Sequence, residues 1–294
     1  MIIDSHTHYA HDRFDGGFPY LCRQGESYTV GEATREELFT EMKTAGVVGM
    51  VEAAISIDGI EKQAALLSNG KLPVWMTVGV HPTRCVNTPW KKRRELENYA
   101  QSLFPVAIGE TGLDYHYPRQ KQHRLRQTLW FLYQIRLADR LQLPLVLHIR
   151  EADRHALRIL KKYRPHLHGG VVHCFSGDVS LAKEYISLGF VLGIGGKLLC
   201  DDEHGSRLSE TIKSIPLSAL LVETDAPFVL PDVGDIPCSK KKRRKLCNSS
   251  LILPAVIQKI AALRAEEYAT VEHAIYENTI RVFGLQKQGD EEND

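Results

Sequence analysis

The sequence lacks long apolar runs and an excess of charge of either sign. A membrane helix needs about 20 consecutive apolar residues, and no run in these 294 residues approaches that length. Lys and Arg number 37 against 36 Asp and Glu, whereas a domain that binds nucleic acid through its overall charge is strongly basic. We therefore expect no contact with a membrane, and any polyanion must be bound by a local group of charges.

Paired cysteines and the common phosphate-binding loops are also absent. The six cysteines are scattered and include no CxxC pair. The first residues lack the cationic and apolar segments of a secretory signal, so we expect reduced thiols and a cytoplasmic location. Neither GxGxxG nor GxxxxGKS/T opens a helix-like segment. The hydrophobic fraction of 43% and the charged fraction of 25% exclude a disordered or fibrous chain.

Short apolar runs alternate with amphipathic segments along most of the chain. Eight runs are typical of strands: Met1–Ile3, Val47–Ala54, Val74–Val80, Val106–Ile108, Leu143–Ile149, Gly170–His173, Phe190–Ile194 and Ala219–Glu223. Runs of Val, Ile and Leu without polar alternation favour parallel strands covered on both faces. Strands and helices in alternation predict an α/β fold, and eight strands fit a (β/α)8 TIM-type barrel. A doubly wound open sheet is the alternative.

Six side chains that can bind metal stand where these apolar runs end: His6, His8, Glu110, His148, His173 and Asp225. Each one alone is more typical of a hydrogen-bonded strand end than of a ligand. The carboxyl ends of the strands of a TIM barrel, however, meet at the face that carries the active site. Four imidazoles and two carboxylates at that face would bind one or two divalent cations.

A set of motifs follows in fixed order along the chain: His6-x-His8, Gly79–Pro82, Gly109–Tyr115, His148–Ala152, His173–Gly177 and Glu223–Pro227. The helix before His148 adds Gln127, Phe131, Gln134 and Ala138. This set resembles the TatD-type metal-dependent deoxyribonucleases, from residue 1 to about residue 230 and more weakly through the last helices. The resemblance implies an amidohydrolase-related barrel over residues 1–284, with a basic loop at 234–250 and an acidic tail at 285–294.

The resemblance also implies two cation sites that share one carboxylate. The first site would be formed by His6, His8 and Asp225. The second would be formed by His148 and His173, with Glu110 as the bridge between the two. Two divalent cations (Mg²⁺, Mn²⁺ or Zn²⁺) would activate water and neutralise charge on the attacking and leaving oxygens of a phosphodiester. Asp225 would orient or deprotonate that water, or serve as a plain ligand.

Two further residues are candidates for substrate binding. Arg150 lies two residues after His148, on the same face of a strand, and is predicted to bind a phosphate. An ion pair with Glu151 or Asp153 is the alternative. His81 is expected to donate to the scissile phosphate, and a structural role at the end of its strand is the alternative.

The sequence departs from the family pattern at several positions. Thr83 replaces the second His of a GxHPH turn, and Cys247–Ser250 replaces an RxEP signature. Arg13–Glu32 makes a longer first loop than common members need. The run Lys240–Lys245 (KKKRRK) is an insertion that we expect to be an exposed loop. It is either an electrostatic contact for a nucleic-acid backbone or a solvated loop that contacts a partner.

The resulting expectation is a monomeric, metal-dependent nuclease that hydrolyses DNA, as a 3′-5′ exonuclease on single-stranded ends. RNA or tRNA is a second class of substrate. A metal-activated water attacks a carbonyl as readily as a phosphorus centre. One alternative is therefore an ester hydrolase such as a D-aminoacyl-tRNA deacylase. Another is a nuclease subunit that works with a protein partner in a larger assembly, as in some anti-phage systems.

Overall fold

Eight parallel strands form one sheet that nearly closes into a barrel in the computed structural model, which describes residues 1–24, 27–68, 70–231 and 239–286. In chain order the strands are β1 (Ile2–Thr7), β2 (Phe18–Gln24), β3 (Ser27–Ala33), β4 (Val47–Glu52), β5 (Val74–Val78), β6 (Ala107–Asp114), β7 (Leu145–Arg150), β8 (Gly170–Val172), β9 (Phe190–Ile194) and β10 (Leu220–Val222). The barrel order is β1-β4-β5-β6-β7-β8-β9-β10. A parallel bridge between Thr7 and Ala226 joins the first and last strands.

Helices follow most of the barrel strands. They are α1 (Arg35–Thr44), α2 (Ile60–Ala64), α3 (Arg93–Ser102), α4 (Pro118–Gln122), α5 (Arg124–Leu141), α6 (Asp153–Lys162), α7 (Val179–Ser187), α8 (Glu203–Ser214), α9 (Lys240–Arg243), α10 (Leu253–Arg264) and α11 (Tyr268–Phe283). Within the described ranges, no helix is both long and apolar enough to cross a membrane. The predicted TIM-type barrel is confirmed, and each of the eight predicted strands is present.

The strand that carries Glu110 is longer than its apolar run. The run predicts that this strand ends at Ile108, but β6 continues through Glu110 to Asp114, with a shift of register against β7. Glu110 therefore lies inside a strand and not behind it. Glycine interrupts the apolar pattern, so the sequence does not indicate the extension. Gly109 is required because a Cβ there would lie 2.6 Å from the carbonyl oxygen of Val146.

Two insertions differ from their prediction as loops. The long first loop contains the antiparallel hairpin of β2 and β3, and the basic run contains the short helix α9. Both escape prediction because neither shows the apolar periodicity that identified the barrel. Residues 234–238 of the predicted basic loop, and the predicted acidic tail from residue 287 on, lie outside the described residues.

An apolar layer fills the barrel beneath the predicted site. Its strand residues form one buried cluster: Ile3, Val51, Ala107, Val146, Val171, Val191 and Leu221. Tyr276 and Phe283 of α11 pack into the same cluster. Because side chains alternate along a strand, Val146 and His148 share a face of β7. The layer therefore supports the polar side chains that follow it at the carboxyl ends of the strands.

Helix α5 holds two loops of the site through buried glutamines. Gln134 accepts a hydrogen bond from Val80 N at 2.8 Å and donates to Val80 O at 3.1 Å, next to His81. Gln127 makes the same pair of bonds to Asp114, at 2.8 Å and 3.0 Å. The two glutamines are seven residues apart, or two helical turns, so both face the barrel. This geometry explains their place in the motif set.

Candidate metal centre

The six predicted ligands meet at the carboxyl end of the barrel. Five of them line one cavity of about 190 Å³: His8, Glu110, His148, His173 and Asp225. His6 lies behind His8 and is fully buried. His81, Thr83, Arg84 and Phe228 complete much of the cavity wall. The convergence predicted from strand ends is therefore present in the structure.

The first group of side chains comes from the ends of β1 and β10. The Nε2 atoms of His6 and His8 lie 3.3 Å apart. Asp225 Oδ1 lies 3.1 Å from Nε2 of His8 and 3.6 Å from that of His6. Glu110 Oε2 lies 3.3 Å from Nε2 of His8 and 3.5 Å from Nε2 of His6. Two imidazole nitrogens and two carboxylate oxygens thus converge on one point.

The second group comes from β7 and β8 and shares Glu110 with the first. Nδ1 of His148 and Nε2 of His173 lie 2.9 Å apart. Glu110 Oε1 lies 2.9 Å from the His173 nitrogen and 3.4 Å from the His148 nitrogen. The two oxygens of Glu110 therefore face two different pairs of histidines. A carboxylate that bridges two cations requires this arrangement.

Hydrogen bonds on the far side of two rings fix which nitrogen faces the cavity. His8 Nδ1 lies 2.9 Å from Ala53 O, an acceptor, so this nitrogen carries the proton of the neutral ring. His148 Nε2 lies 3.2 Å from Asp114 Oδ2, also an acceptor, so Nε2 carries the proton of this ring and Nδ1 faces the cavity. The inward nitrogens then present lone pairs to carboxylate oxygens, and such a group of acceptors is stable only around positive charge. The donor set fits divalent cations held by N and O ligands.

The close approach of carboxylates and imidazoles also shifts the pKa values of these groups in the metal-free site. Burial lowers the pKa of His8, but Asp225 and Glu110 outweigh burial and raise it well above its ordinary value. The pKa of His173 is likewise raised, because Glu110 and Glu223 outweigh burial. Burial alone would raise the pKa of Glu110, yet the charges of His173 and its neighbours hold it well below the usual range. Cation binding must therefore displace protons from these histidines.

His81 enters the cavity as a hydrogen-bond donor. The backbone N–H of Thr83 donates to His81 Nδ1 at 3.1 Å, so Nε2 carries the proton of the neutral ring. That nitrogen points toward Glu110 Oε1, at 3.6 Å. Burial, followed by the charge of His148, lowers the pKa of His81 to about 3, so the ring stays neutral near neutral pH. A protonated Nε2 cannot bind a metal but can donate to a phosphate oxygen.

Comparison with known proteins identifies the family. A family model described as "TatD related DNase" matches residues 3–284. The chain belongs to this family. The resemblance drawn from the motifs is thereby confirmed, and this TatD-family member is a hydrolase.

Curated relatives and a solved structure are similar over almost the whole chain. The "3′-5′ ssDNA/RNA exonuclease TatD" of Erwinia tasmaniensis is 34% identical over 254 residues, which cover 85% of this chain and 94% of that protein. The protein of the same name from Klebsiella pneumoniae is 32% identical over 270 residues, covering 90% and 98%. The TatD homologue YjjV of Escherichia coli superposes with a TM-score of 0.76 at 25% identity, over 97% of this chain and 98% of that chain.

Arg150 of this TatD-family protein lies away from the cavity wall. Its guanidinium carbon lies 5.7 Å from the ring centroid of Tyr117, and Arg150 is not among the described residues that line the metal cavity. Neither predicted ion pair is formed among the described residues, where Glu151 pairs with His116 and Asp153 accepts from Tyr185. Its binding to phosphate stays a prediction.

Asp4 is a buried carboxylate that sequence reasoning missed. Its Oδ1 accepts from the backbone N–H groups of His6 and Thr224, at 3.2 Å and 3.1 Å. Its Oδ2 accepts from the hydroxyls of Thr224 and Ser250, at 2.6 Å and 2.7 Å. Burial raises the pKa of Asp4 to about 7, against the opposing effect of the Thr224 and Ser250 hydrogen bonds. Asp4 thereby fixes the position of His6 relative to the segment that carries Asp225.

Glu223 supports the second group of ligands. Its Oε1 accepts from the backbone N–H of Cys174 and lies 3.7 Å from Nδ1 of His173. Gly193 of β9 leaves room for this carboxylate, since a Cβ there would lie 2.0 Å from Glu223 Oε2. The sequence does contain a signal for this role, because Glu223 is a carboxylate two residues before Asp225, at an inward position of an apolar strand.

We predict that Asp114→Asn weakens cation binding at the group of side chains that contains His148. Asp114 accepts the outward N–H of His148, and loss of such a carboxylate costs about 10–100-fold in metal affinity. An amide keeps the shape of the side chain but removes the charge that makes the imidazole a stronger ligand. Titration of metal-stripped protein with Zn²⁺ should show one weakened and one unchanged site. Equal affinity of wild type and variant at both sites would contradict this role.

Proposed function

We propose that this TatD-family hydrolase is a two-cation nuclease that removes nucleotides from the 3′ end of single-stranded DNA or RNA. The observation that carries the proposal is the position of Glu110, whose two oxygens face two separate pairs of histidines. The curated relatives, described as 3′-5′ ssDNA/RNA exonucleases, support this class of substrate. DNA is the substrate expected first, and RNA is included because of those relatives.

The roles of the ligands follow from the two groups. His6, His8 and Asp225 would hold one divalent cation. His148 and His173 would hold the other, with Glu110 between the two. Bound Mg²⁺, Mn²⁺ or Zn²⁺ would supply a nucleophilic water at neutral pH and neutralise charge on the reacting oxygens. Their histidine and carboxylate ligands accept several metals.

The remaining chemistry belongs to side chains that face the cavity. Asp225 is our candidate to orient or deprotonate the attacking water, because its side chain is 16% exposed whereas that of Glu110 is 3% exposed. A general base of this kind contributes about 10²–10⁴-fold to rate. His81 would donate its Nε2–H to a non-bridging oxygen of the scissile phosphate. The fixed tautomer of its ring makes that bond available without a change of protonation.

Arg84 is a second candidate to bind phosphate, and it was not predicted from sequence. It is exposed and lines both the metal cavity and a neighbouring cavity of about 230 Å³. His8 and Ile55 also line both cavities, so the two are continuous at Arg84. In the described part of the chain, no carboxylate forms an ion pair with its guanidinium. It is therefore available to a phosphate next to the reacting one.

We predict that Arg84→Gln raises KM for single-stranded DNA about 10–100-fold. A hydrogen bond to a charged group contributes about 1.5–3 kcal/mol, and about 1.4 kcal/mol corresponds to tenfold. The change in kcat should be small, since no hydrogen bond or ion pair joins Arg84 to the six candidate ligands in the described part of the chain. Steady-state kinetics with Arg164→Gln, an exposed arginine that follows the last turn of α6 at the opposite end of the barrel, provides the control. A fall in kcat with KM unchanged would contradict the role in binding.

The proposed function is tested with metal-stripped protein and single-stranded DNA labelled at either end. Mg²⁺, Mn²⁺ or Zn²⁺ is restored separately, and Asp225→Asn serves as the inactive control. The proposal predicts release of the 3′ label as mononucleotide and stepwise shortening of the 5′-labelled strand. No cleavage of DNA or RNA despite stoichiometric uptake of metal would overturn it. Hydrolysis of D-aminoacyl-tRNA under those conditions would instead establish the ester hydrolase.

The compartment is inferred from the cysteines. None of the five cysteines in the described ranges forms a disulfide bond, and two of them are buried. Burial raises the pKa of the Cys85 thiol to about 12 and that of the Cys247 thiol to about 11. Free thiols are typical of a reducing compartment, so we propose that the enzyme acts in the cytoplasm.

A further inference from the structure

A group of cationic side chains without carboxylate partners lies in the inserted segment around α9. Arg243, Arg244 and Lys245 are exposed, and none of them pairs with a carboxylate among the residues that the structure describes. Lys242 differs, because its Nζ lies 2.7 Å from Glu32 of β3. Three neighbouring cations are therefore available to a ligand, in a chain whose overall charge is only +1.

The inserted segment is fixed to the hairpin of β2 and β3. Cys247 N donates to Pro19 O at 2.8 Å, and Leu21 N donates to Cys247 O at 3.0 Å. These bonds form a parallel bridge between Tyr20 and Cys247. The first loop and the basic run, which are the two long insertions of this chain, are thus one structural unit. The three cations are held on a supported surface beside the barrel.

Arg13 connects this surface to the metal cavity. Its Nη2 donates to Arg244 O at 3.4 Å, and its guanidinium carbon lies 5.7 Å from the ring centroid of Phe228. Phe228 lines the metal cavity, and its ring centroid lies 6.0 Å from that of His8. Positive charge therefore continues from the rim of the cavity to the inserted segment.

The acidic residues nearest to Arg13 in sequence do not neutralise it. Asp12 and Asp15 both pair with Lys62, and Asp15 also pairs with Arg35 at 2.8 Å. The positive potential along Arg13 and the inserted segment is therefore directed to solvent. A polyanion that approaches the metal cavity past Phe228 therefore meets positive charge.

We propose that Arg13, Arg243, Arg244 and Lys245, here called the basic track, bind the sugar–phosphate backbone of the strand whose end lies at the metal centre. The proposal rests on the proposed function and adds to it a surface that binds the strand away from the reacting bond. An acidic protein is the less favoured partner, because the track leads directly into the cavity that would cleave a phosphodiester. Backbone contacts of this kind do not depend on base sequence.

The test measures binding separately from cleavage. Fluorescence anisotropy in EDTA gives the Kd of a 5′-fluorescein oligothymidylate of about 20 nucleotides, a length that exceeds common single-strand site sizes. Arg243→Gln, Arg244→Gln and Lys245→Gln are combined in one variant. We expect Kd to rise at least about tenfold and the slope of log K against log salt to fall by about 2, since each phosphate contact contributes about 0.7.

A second triple variant provides the matched control. Lys43→Gln, Lys162→Gln and Lys213→Gln remove the same charge from exposed lysines in the last turns of α1, α6 and α8. These helix ends lie at the opposite end of the barrel from the site. Thermal melting verifies that both variants fold. We expect the control variant to bind the oligonucleotide like wild type.

The outcomes separate this inference from the proposed function. Equal Kd for wild type and the track variant, in an enzyme that cleaves DNA, would overturn the basic track and leave the nuclease intact. Equal loss of binding in both triple variants would overturn it too, because the effect would then be one of net charge. Loss confined to the track variant supports the track, even if wild type cleaves no nucleic acid and the proposed function fails.

Discussion

Replacing Glu110 by Gln is expected to lower kcat/KM on single-stranded DNA by at least about 10³-fold. Its two oxygens face two pairs of histidines, and the amide nitrogen of Gln cannot bind a cation. Charge stabilisation by a metal ion is worth several kcal/mol, and about 4 kcal/mol corresponds to about 10³-fold in rate. We expect metal content to fall from two ions per chain to one or fewer.

The controls for this prediction separate chemistry from folding. Glu184→Gln makes the same change at a partly exposed glutamate of α7 that pairs with Lys161, and we expect wild-type rates from it. In the metal-free protein, Glu110→Gln also removes a buried charge from beside the histidines. Melting temperatures of metal-free wild type and variant therefore verify the fold. A variant that keeps two tightly bound ions and full activity would exclude Glu110 as the bridge.

Asp225→Asn is expected to reduce kcat by about 10²–10⁴-fold, the contribution of a general base. Asp225 lies 3.1 Å from His8 Nε2 and takes a left-handed backbone conformation with φ of +57°. Burial alone would raise its pKa, but contact with His8 outweighs burial and lowers it. The carboxylate is therefore ionised at neutral pH, as a base must be.

The same variant distinguishes the two roles considered for Asp225. If the carboxylate orients or deprotonates water, kcat falls and excess metal does not restore it. If Asp225 is only a ligand, metal affinity falls, but the five remaining ligands still bind metal. Saturating metal then returns kcat to within about tenfold of wild type. Rates measured across a metal titration decide between them. Wild-type kcat at every metal concentration would exclude both roles.

The convergence of the six candidate ligands could be predicted, because most of them stand where an apolar strand ends. His148 and His173 continue the faces of Val146 and Val171, so strand periodicity alone places them at the carboxyl end of the barrel. Glu110 was predicted to follow the end of its strand, but β6 extends past it. Its place in the motif set compensated for the missed extension.

The supporting contacts could not be predicted, because they join residues far apart in sequence. Asp4 reaches Ser250 across 246 positions, and Gln134 reaches Val80 across 54. Ser250 belongs to the segment that replaces the RxEP signature, and its hydroxyl has a defined structural role there. The hairpin of β2 and β3 escaped prediction because its strands lack the Val- and Ile-rich runs of the barrel.

The most direct test of the account is the electron paramagnetic resonance spectrum of metal-stripped protein titrated with Mn²⁺. If Glu110 bridges two cations, about 3.5–4 Å apart as in other two-metal sites, the spectrum at saturation is that of an exchange-coupled pair. Glu110→Gln should abolish the coupling. Saturation at one isolated Mn²⁺ per chain, with the cleavage activity fully present, would contradict the two-cation centre.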